Sequence, residues 1–328
     1  MSKQVFYVGI DVGSQELVAA LEGRRPHCFR HNTSGIRAMV KWVGQIAGEV
    51  PVQFCLEATG VYGYSVASRL YREHGCAVSV INPARIAAYS KAQLRRTKTD
   101  FVDAQVILSF AASQKPPLWK PEADVLRQLY LLVTEADRIR QEQAAWNNRE
   151  HTEKYQDDLP KVIKQSRKAV QRTLRRQLEK IENAITELCG QNIELKQQVD
   201  LLCSIPGIAN HSAFRLLAYG KSALYNLDRR ALTAQAGLAP AQKQSGTSIN
   251  GKSRLAKMGD RRLRKALFMP ALVAAHYNPI LKKFYQKLLE KGKPKMTAIV
   301  AVMRKLLLMI RAILKNKNTF NPNYALDS

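Results

Sequence analysis

Acidic residues are scarce in this chain. Its 328 residues hold 26 Asp and Glu against 52 Lys and Arg, giving a formal charge of +26 and an isoelectric point of about 10.1. A globular chain with so few anions of its own calls for a polyanionic partner, and nucleic acid is the commonest. Long apolar runs are also lacking, since no window offers about 18 uninterrupted apolar residues. The longest C-terminal stretch, TAIVAVMRKLLLMIRAIL, is broken by Arg304, Lys305 and Arg311 and reads as a core helix. A membrane surface is therefore the weaker partner. The opening MSKQVFYVGIDVG has no signal-peptide layout. Cysteine is sparse: Cys28, Cys55, Cys76, Cys189 and Cys203 form no CxxC or Cys/His pairing, which excludes a zinc site and a disulfide framework. A reducing, cytoplasmic setting is expected, with the protein nucleoid-associated in a bacterial cell. No P-loop is present, so the strand-like YVGIDVG has no second phosphate-binding element to make it an ATP fold.

At 46% hydrophobic content the chain builds proper cores. Three strands (4–12, 16–22 and 27–31) precede a helix over 34–47, and strands at 52–57 and 77–82 alternate with helices. That order implies a mixed α/β sheet with helices packed on it. Three prolines in SQKPPLWKPEAD mark a boundary, so the first domain covers 1–122. The segment 123–203 has no strand-like run, and 161–180 carries eight basic residues against one acid. Leu174, Leu178, Ile181, Ile185, Leu188, Asn192, Leu195, Val199 and Leu202 recur at alternating four- and three-residue steps, a heptad seam with one polar member. Such a seam packs either inside its own chain or as a dimerising coiled coil. The third segment, 204–328, begins SIPGIANHSAFRLLA, where a Pro-Gly turn between helices suggests a helix-hairpin-helix that holds a phosphate. A polar Gly/Ser-rich stretch follows, then seven Lys and Arg against Asp260 alone over 252–265, and amphipathic helix to about 315.

The acids that do occur are placed oddly. Asp11 lies between Ile10 and Val12 in a run that reads as buried, where an unpaired carboxylate is costly. Glu57 ends a strand, and Asp100 and Asp103 share one face of a helix, three residues apart. Four hard oxygen ligands of this kind suit Mg²⁺ or Mn²⁺. Metal ions there can clamp the attacking and leaving oxygens of a phosphodiester. Plainer readings exist: Asp100 as a helix cap after Thr99, Asp103 as a solvated residue, Glu57 as an ordinary strand end.

Taken together, YVGIDVG, CLEATGVYGY, SVINPARIAAYSKAQLRRTKTDFVDAQVIL, IPGIANHSAFRLLA and AGLAPAQKQSGTSINGKSRLAKMGDRRLRKALFMPA closely resemble the insertion-sequence transposases of the Piv/MooV invertase type. The likeness runs through essentially the whole chain in one order. It implies an RNase H-like (RuvC-like) mixed-sheet N-terminal domain, a helical coiled-coil middle and a mainly α C-terminal transposase domain. The family's four acids match Asp11, Glu57, Asp100 and Asp103. Its nucleophilic serine, in an SGxS segment, matches Ser245, with Ser248 and Ser253 as the neighbours most easily confused with it. The hairpin turn departs from the pattern at Ala209, where a second glycine is frequent. The resemblance further implies a phosphoserine link to DNA, a structured noncoding guide RNA that pairs with target and donor DNA, and a homo-oligomer, dimer or tetramer, whose active sites join two subunits.

The sequence thus points to a metal-dependent, site-specific DNA recombinase that mobilises its own element. A serine hydroxyl needs a base or a metal to attack at neutral pH, which is what the acids would provide. The rivals are a RuvC-like structure-specific endonuclease in which water attacks, a DNA invertase that reads its sites by protein alone, and a catalytically silent nucleic-acid scaffold. A tyrosine recombinase is weaker, because its Arg/His/Tyr constellation has no place on the C-terminal segment.

Overall fold

The computed structural model describes residues 5–94, 99–153, 160–241, 244–245, 249–250, 254–256 and 258–323. The chain divides into two compact units, Met1–Pro121 and Glu122–Ser328. The first contains β1 (Phe6–Val12), β2 (Glu16–Ala20), β3 (His27–Arg30), α1 (Thr33–Ala47), β4 (Val52–Glu57), α2 (Gly60–Arg72), β5 (Ala77–Ile81), α3 (Pro83–Ala92) and α4 (Asp100–Gln114). Its sheet has the order β3-β2-β1-β4-β5. β2 runs antiparallel to β1 and β3, whereas β1, β4 and β5 are parallel. The expected strands and helices are all present, as a mixed sheet with helices on both faces.

Side-chain alternation sorts the two faces. Val8, Ile10 and Val12 of β1 join Phe54 and Leu56 of β4 and Val78 of β5 in one core with α1 and α2 residues such as Ile36, Met39, Val66 and Leu70. The opposite face takes Cys55 of β4 and Ile81 of β5 against Ile86 of α3 and Val106, Ile107 and Phe110 of α4. Gly9 belongs to this second face and sets its geometry. A Cβ at position 9 would stand 2.3 Å from the Ala104 carbonyl oxygen and 2.4 Å from the Leu108 nitrogen. Only glycine lets the α4 backbone lie so close to the central strand.

The second unit is mainly helical. It comprises α5 (Asp124–Glu153), α6 (Lys161–Gln191), α7 (Ile193–Cys203), α8 (Asn210–Gly220), α9 (Ala223–Asn226) and α10 (Arg229–Gln235), then the short strands β6 (Pro240–Ala241), β7 (Gln244–Ser245), β8 (Ile249–Asn250) and β9 (Arg254–Leu255). It closes with α11 (Arg261–Tyr277), α12 (Pro279–Glu290) and α13 (Lys295–Asn316). α5 and α6 pack antiparallel, with Asn147 facing Gln171 and Arg140 facing Glu182. One core runs from Leu129 and Val133 of α5, through Ile185 and Cys189 of α6 and Leu195, Val199 and Leu202 of α7, to Leu306 and Ile310 of α13. The stretches 123–203 and 204–328 therefore share a single apolar interior. A polar network ties α5, α6 and α8: Asp137, its side chain 15% exposed, accepts from Arg140, Arg215 and Tyr219, and Arg140 also pairs with Glu182.

The heptad seam needs correcting at Asn192. Helix α6 stops at Gln191, and Asn192 adopts extended backbone (φ −119°, ψ 106°) as the N-cap of α7, its side chain accepting from the Leu195 N–H at 2.8 Å. The polar residue in the seam is a helix break, because Asn satisfies an orphan amide of the next helix better than it continues the last one. Within α6, the seam residues Leu178, Ile181, Ile185 and Leu188 pack into the chain's own core.

Candidate active site

The alternation that buries Ile10 and Val12 on one face turns Asp11, at the penultimate position of β1, toward the other. The parallel register pairs Ile10 with Leu56, which brings Glu57 alongside Asp11 one step further along. Both acids thus stand at the carboxyl ends of adjacent parallel strands, on the face that α4 covers. α4 begins at this edge. Its N-cap Thr99 accepts from the Val102 N–H at 3.3 Å, and Asp100 and Asp103 occupy the first turn. Carboxylates are favoured there by the helix dipole, so the capping role belongs to Thr99 and leaves Asp100 free of it. The close α4–β1 approach at Gly9 carries that first turn over Asp11.

The convergence is visible electrostatically. The Asp11 carboxyl is pushed from 3.8 up to about 6, first by burial, then by the charges of Asp100 and Asp103, with Glu57 adding a smaller push. A hydrogen bond from the Val12 backbone opposes this. All four predicted acids are therefore electrostatic neighbours. Among the described residues, no three His, Cys, Asp or Glu side chains are drawn together tightly enough to hold an ion as they stand. The four carboxylates meet through their fields, with half-buried Asp11 at the centre and exposed Asp100 at the rim.

Ser245 lies in the other unit, at the end of β7. It pairs with Ile249 of β8 in a small antiparallel hairpin. Ser248 and Ser253 lie outside the described residues, as does much of the polar stretch around them. A second two-stranded pairing, β6 with β9, frames the hairpin's root. Below it two glycines form a clasp that the sequence reading did not pick out. Gly237 (φ +64°) and Gly259 (φ +122°) touch, and a Cβ on Gly259 would stand 2.5 Å from the Gly237 nitrogen. Asp260 then N-caps α11, accepting from the Arg262 and Leu263 amides at 2.7 and 3.0 Å. The available signal was the spacing itself: a glycine on either side of a polar insertion, the second directly before a capping Asp.

The Pro-Gly turn lies between α7 and α8. Ile205 and Ile208 are buried, and Gly207 (φ +109°) packs on α11, 2.8 Å from the Ala274 nitrogen to where a Cβ would be. Exposed Ala209 and Asn210 open α8. Around Tyr130 of α5, three cations from three elements gather: Lys221 Nζ lies 4.2 Å from the ring centroid, with the Arg127 and Arg262 guanidinium groups at 5.6 and 5.9 Å. No described helix is long and apolar enough to cross a membrane.

Comparison with known proteins gives a consistent picture. Residues 199–286 match the model of the Transposase IS116/IS110/IS902 family, and residues 8–152 match a second model described as a transposase. All four acids fall within the second of these spans and Ser245 within the first. The chain is 30% identical over 326 residues to the pilin gene-inverting protein of Moraxella bovis, covering 96% of this chain and 97% of that one. The corresponding protein of Moraxella lacunata is 30% identical over 325 residues, with the same 96% and 97% coverage. A shorter likeness, 29% over 116 residues, links 35% of this chain to 28% of the insertion element IS110 uncharacterized 43.6 kDa protein of Streptomyces coelicolor.

Proposed function

From a chain that belongs to the IS116/IS110/IS902 family of transposases, together with the pilin gene-inverting proteins, we propose a site-specific DNA recombinase of an insertion sequence that works through a phosphoserine intermediate. The observation that carries this reading is Asp11, held amid Glu57, Asp100 and Asp103 at one sheet edge. The strand order β3-β2-β1-β4-β5, with acids at the ends of β1 and β4, supports an RNase H-like, RuvC-like assignment for the first unit.

The four acids fit a divalent ion by donor chemistry: they are all oxygen donors, and their mutual repulsion is what a 2+ charge relieves. Asp11, Glu57, Asp100 and Asp103 would hold it, and Mg²⁺ or Mn²⁺ so bound offsets the charge that develops on the phosphate. The chain's own nucleophile is Ser245. Its hydroxyl oxygen attacks phosphorus and gives up its proton. The phosphorus–oxygen bond to one sugar breaks, and the freed sugar oxygen takes a proton. The DNA end is then a serine phosphodiester of unchanged bond type, so a different sugar hydroxyl reverses the step, reseals a strand and restores the serine without ATP. A noncoding guide RNA selects target and donor DNA, and a homo-oligomer, dimer or tetramer, places the acids of one subunit beside the serine of another.

Ser245→Ala tests the nucleophile. The variant should lose both strand cleavage and the covalent protein–DNA adduct, whereas a RuvC-like endonuclease using water would keep cutting. Mixing Ser245→Ala with Asp11→Asn chains then tests the shared site, since restored recombination requires intact halves from different subunits. The end-to-end likeness to pilin gene-inverting proteins supports a second reading, a DNA invertase, which in its simplest form reads its sites by protein alone. Recombination by protein stripped of RNA would establish that reading in place of guidance.

A further inference from the structure

Helix α6 carries charge differently from the helix it packs on. On α5, Arg138 pairs with Glu135 and Glu142, and Arg140 with Asp137 and Glu182 of α6. The N-terminal half of α6 is basic and almost acid-free. Lys161, Lys164, Lys168, Arg172, Arg175 and Arg176 are all exposed. Among the described residues none of the six enters an ion pair. At about 100° per residue they fall within one stripe along the helix, set off from the seam through Leu178 and Ile181 that packs inward. Arg167 falls outside the stripe, on the seam side.

We propose that this stripe is a docking rail for the backbone of duplex DNA, separate from the cleavage site. It deepens the recombinase reading and rests on it for the choice of DNA. The dimensions agree. From Lys161 to Arg176 the stripe runs about 22 Å at 1.5 Å per residue. One strand of B-DNA presents a phosphate about every 3.4 Å of axis, so that length spans about six phosphates for six cations. Residues 161–180 contain no Phe, Tyr, Trp or His. Single strands are gripped by stacking their bases on aromatic rings, and this face has none to offer. It has no Asn; of the nearby glutamines, Gln171 turns to Asn147 of α5 and only Gln165 stands exposed among the six cations, so contact here is overwhelmingly to phosphate and carries little sequence information. The helix is braced on α5 at Gln171 and Glu182, which keeps the cations in line before DNA arrives.

The test changes all six residues to Gln in the full-length chain. As a control with the same charge change, a second variant carries Gln at Lys282, Lys283, Lys287, Lys291, Lys293 and Lys295, which are exposed on and after α12. Affinity for a random-sequence 30-bp DNA duplex is measured from 50 to 200 mM salt, with a 30-bp RNA duplex beside it. Neutralising six phosphate contacts should flatten the log Kd versus log salt slope on DNA by about 5. The control should change it by less than 1, and both variants should keep the wild-type circular dichroism and melting temperature. Equal flattening in the control would overturn the rail, since net charge alone would then explain it. An unchanged slope, or flattening confined to the RNA duplex, would overturn it as well. Failure of the wild-type chain to form a Ser245–DNA adduct, with the rail slope as expected, would instead count against the recombinase reading, so the two can fail separately.

Discussion

The acidic edge of the first unit and the serine hairpin of the second are specified to very different degrees by their surroundings. Asp11 and Glu57 are fixed by strand alternation, parallel register and the buried cores on both sides of the sheet. Ser245 sits on a strand of two residues, paired to another of two, anchored by a pair of touching glycines. A group that must hold steady against the repulsion of three like charges needs a rigid frame, whose packing supplies the energy to keep it there. The nucleophile proposed at Ser245 asks less of its frame, a two-residue strand paired to another. The contrast predicts that single substitutions break the first region through its stability and the second through its chemistry.

The largest effect on stability should come from Gly9→Val. Its side chain has no space against Ala104 and Leu108, so α4 must lift from β1 at a cost of about 3 kcal/mol or more. Urea unfolding would show a lowered midpoint, and an unchanged midpoint would mean the α4–β1 approach is not what fixes the acids. Asp137→Ala asks whether the helical unit has an equivalent keystone. It leaves Arg140 and Arg215 with their shared acid gone, at an expected cost of about 3 kcal/mol. Asp137→Asn should recover part of this by retaining hydrogen bonds to Arg215 and Tyr219. Ser245→Ala, by contrast, should leave the melting temperature within a degree of wild type while removing the adduct.

The acidic edge should also carry a pH signature that the hairpin lacks. Asp11 has a folded-state pKa of about 6 against 3.8 unfolded. Below pH 3.8 it is protonated in both states. Between 3.8 and about 6 the unfolded chain ionises first, so unfolding releases a proton and stability declines as pH rises through that window. Asp11→Asn keeps the neutral form at every pH. Without divalent ions it should therefore melt above wild type at pH 7, and the difference should close below pH 4. Adding Mg²⁺ or Mn²⁺ at pH 7 should stabilise wild type and leave Asp11→Asn nearly unmoved. If the ions stabilise both equally, the four acids are not a metal site.

Much of the first unit was legible in the sequence because its rules are local. Period-two alternation exposes an acid in an apolar strand at once, and Asp100 and Asp103 declare a shared helix face by spacing alone. What was not legible were approaches between distant segments. Gly9 reads as one more small residue until α4 lies on it, and Gly237 and Gly259 reveal themselves only when the chain returns to touch itself. The short strands β6 to β9 were also hidden, because two-residue strands with few apolar side chains leave no periodic trace. The unity of the helical region was hidden too, since a core shared between residues 129 and 314 depends on contacts that no window of sequence contains.

Asn192 gives the smallest effect and the sharpest test of that limit. A polar residue in an otherwise apolar heptad seam has two meanings that sequence cannot separate, a register-setting contact in a continuous coiled coil or a cap where one helix ends and another begins. The two meanings respond oppositely to substitution. If Asn192 sat within a continuous coil, Asn192→Leu would complete the seam and stabilise the helix, because a buried polar group specifies register at a cost in stability. Because the Asn192 side-chain oxygen accepts from the Leu195 N–H as the N-cap of α7, replacement by either Ala or Leu should cost about 1 kcal/mol of stability. Asn192→Asp or Asn192→Ser should be nearly neutral, since both side chains cap equally well. Thermal unfolding of the four variants thus distinguishes a break from a seam, and a stabilised Leu variant would reverse the helix boundary placed at Gln191.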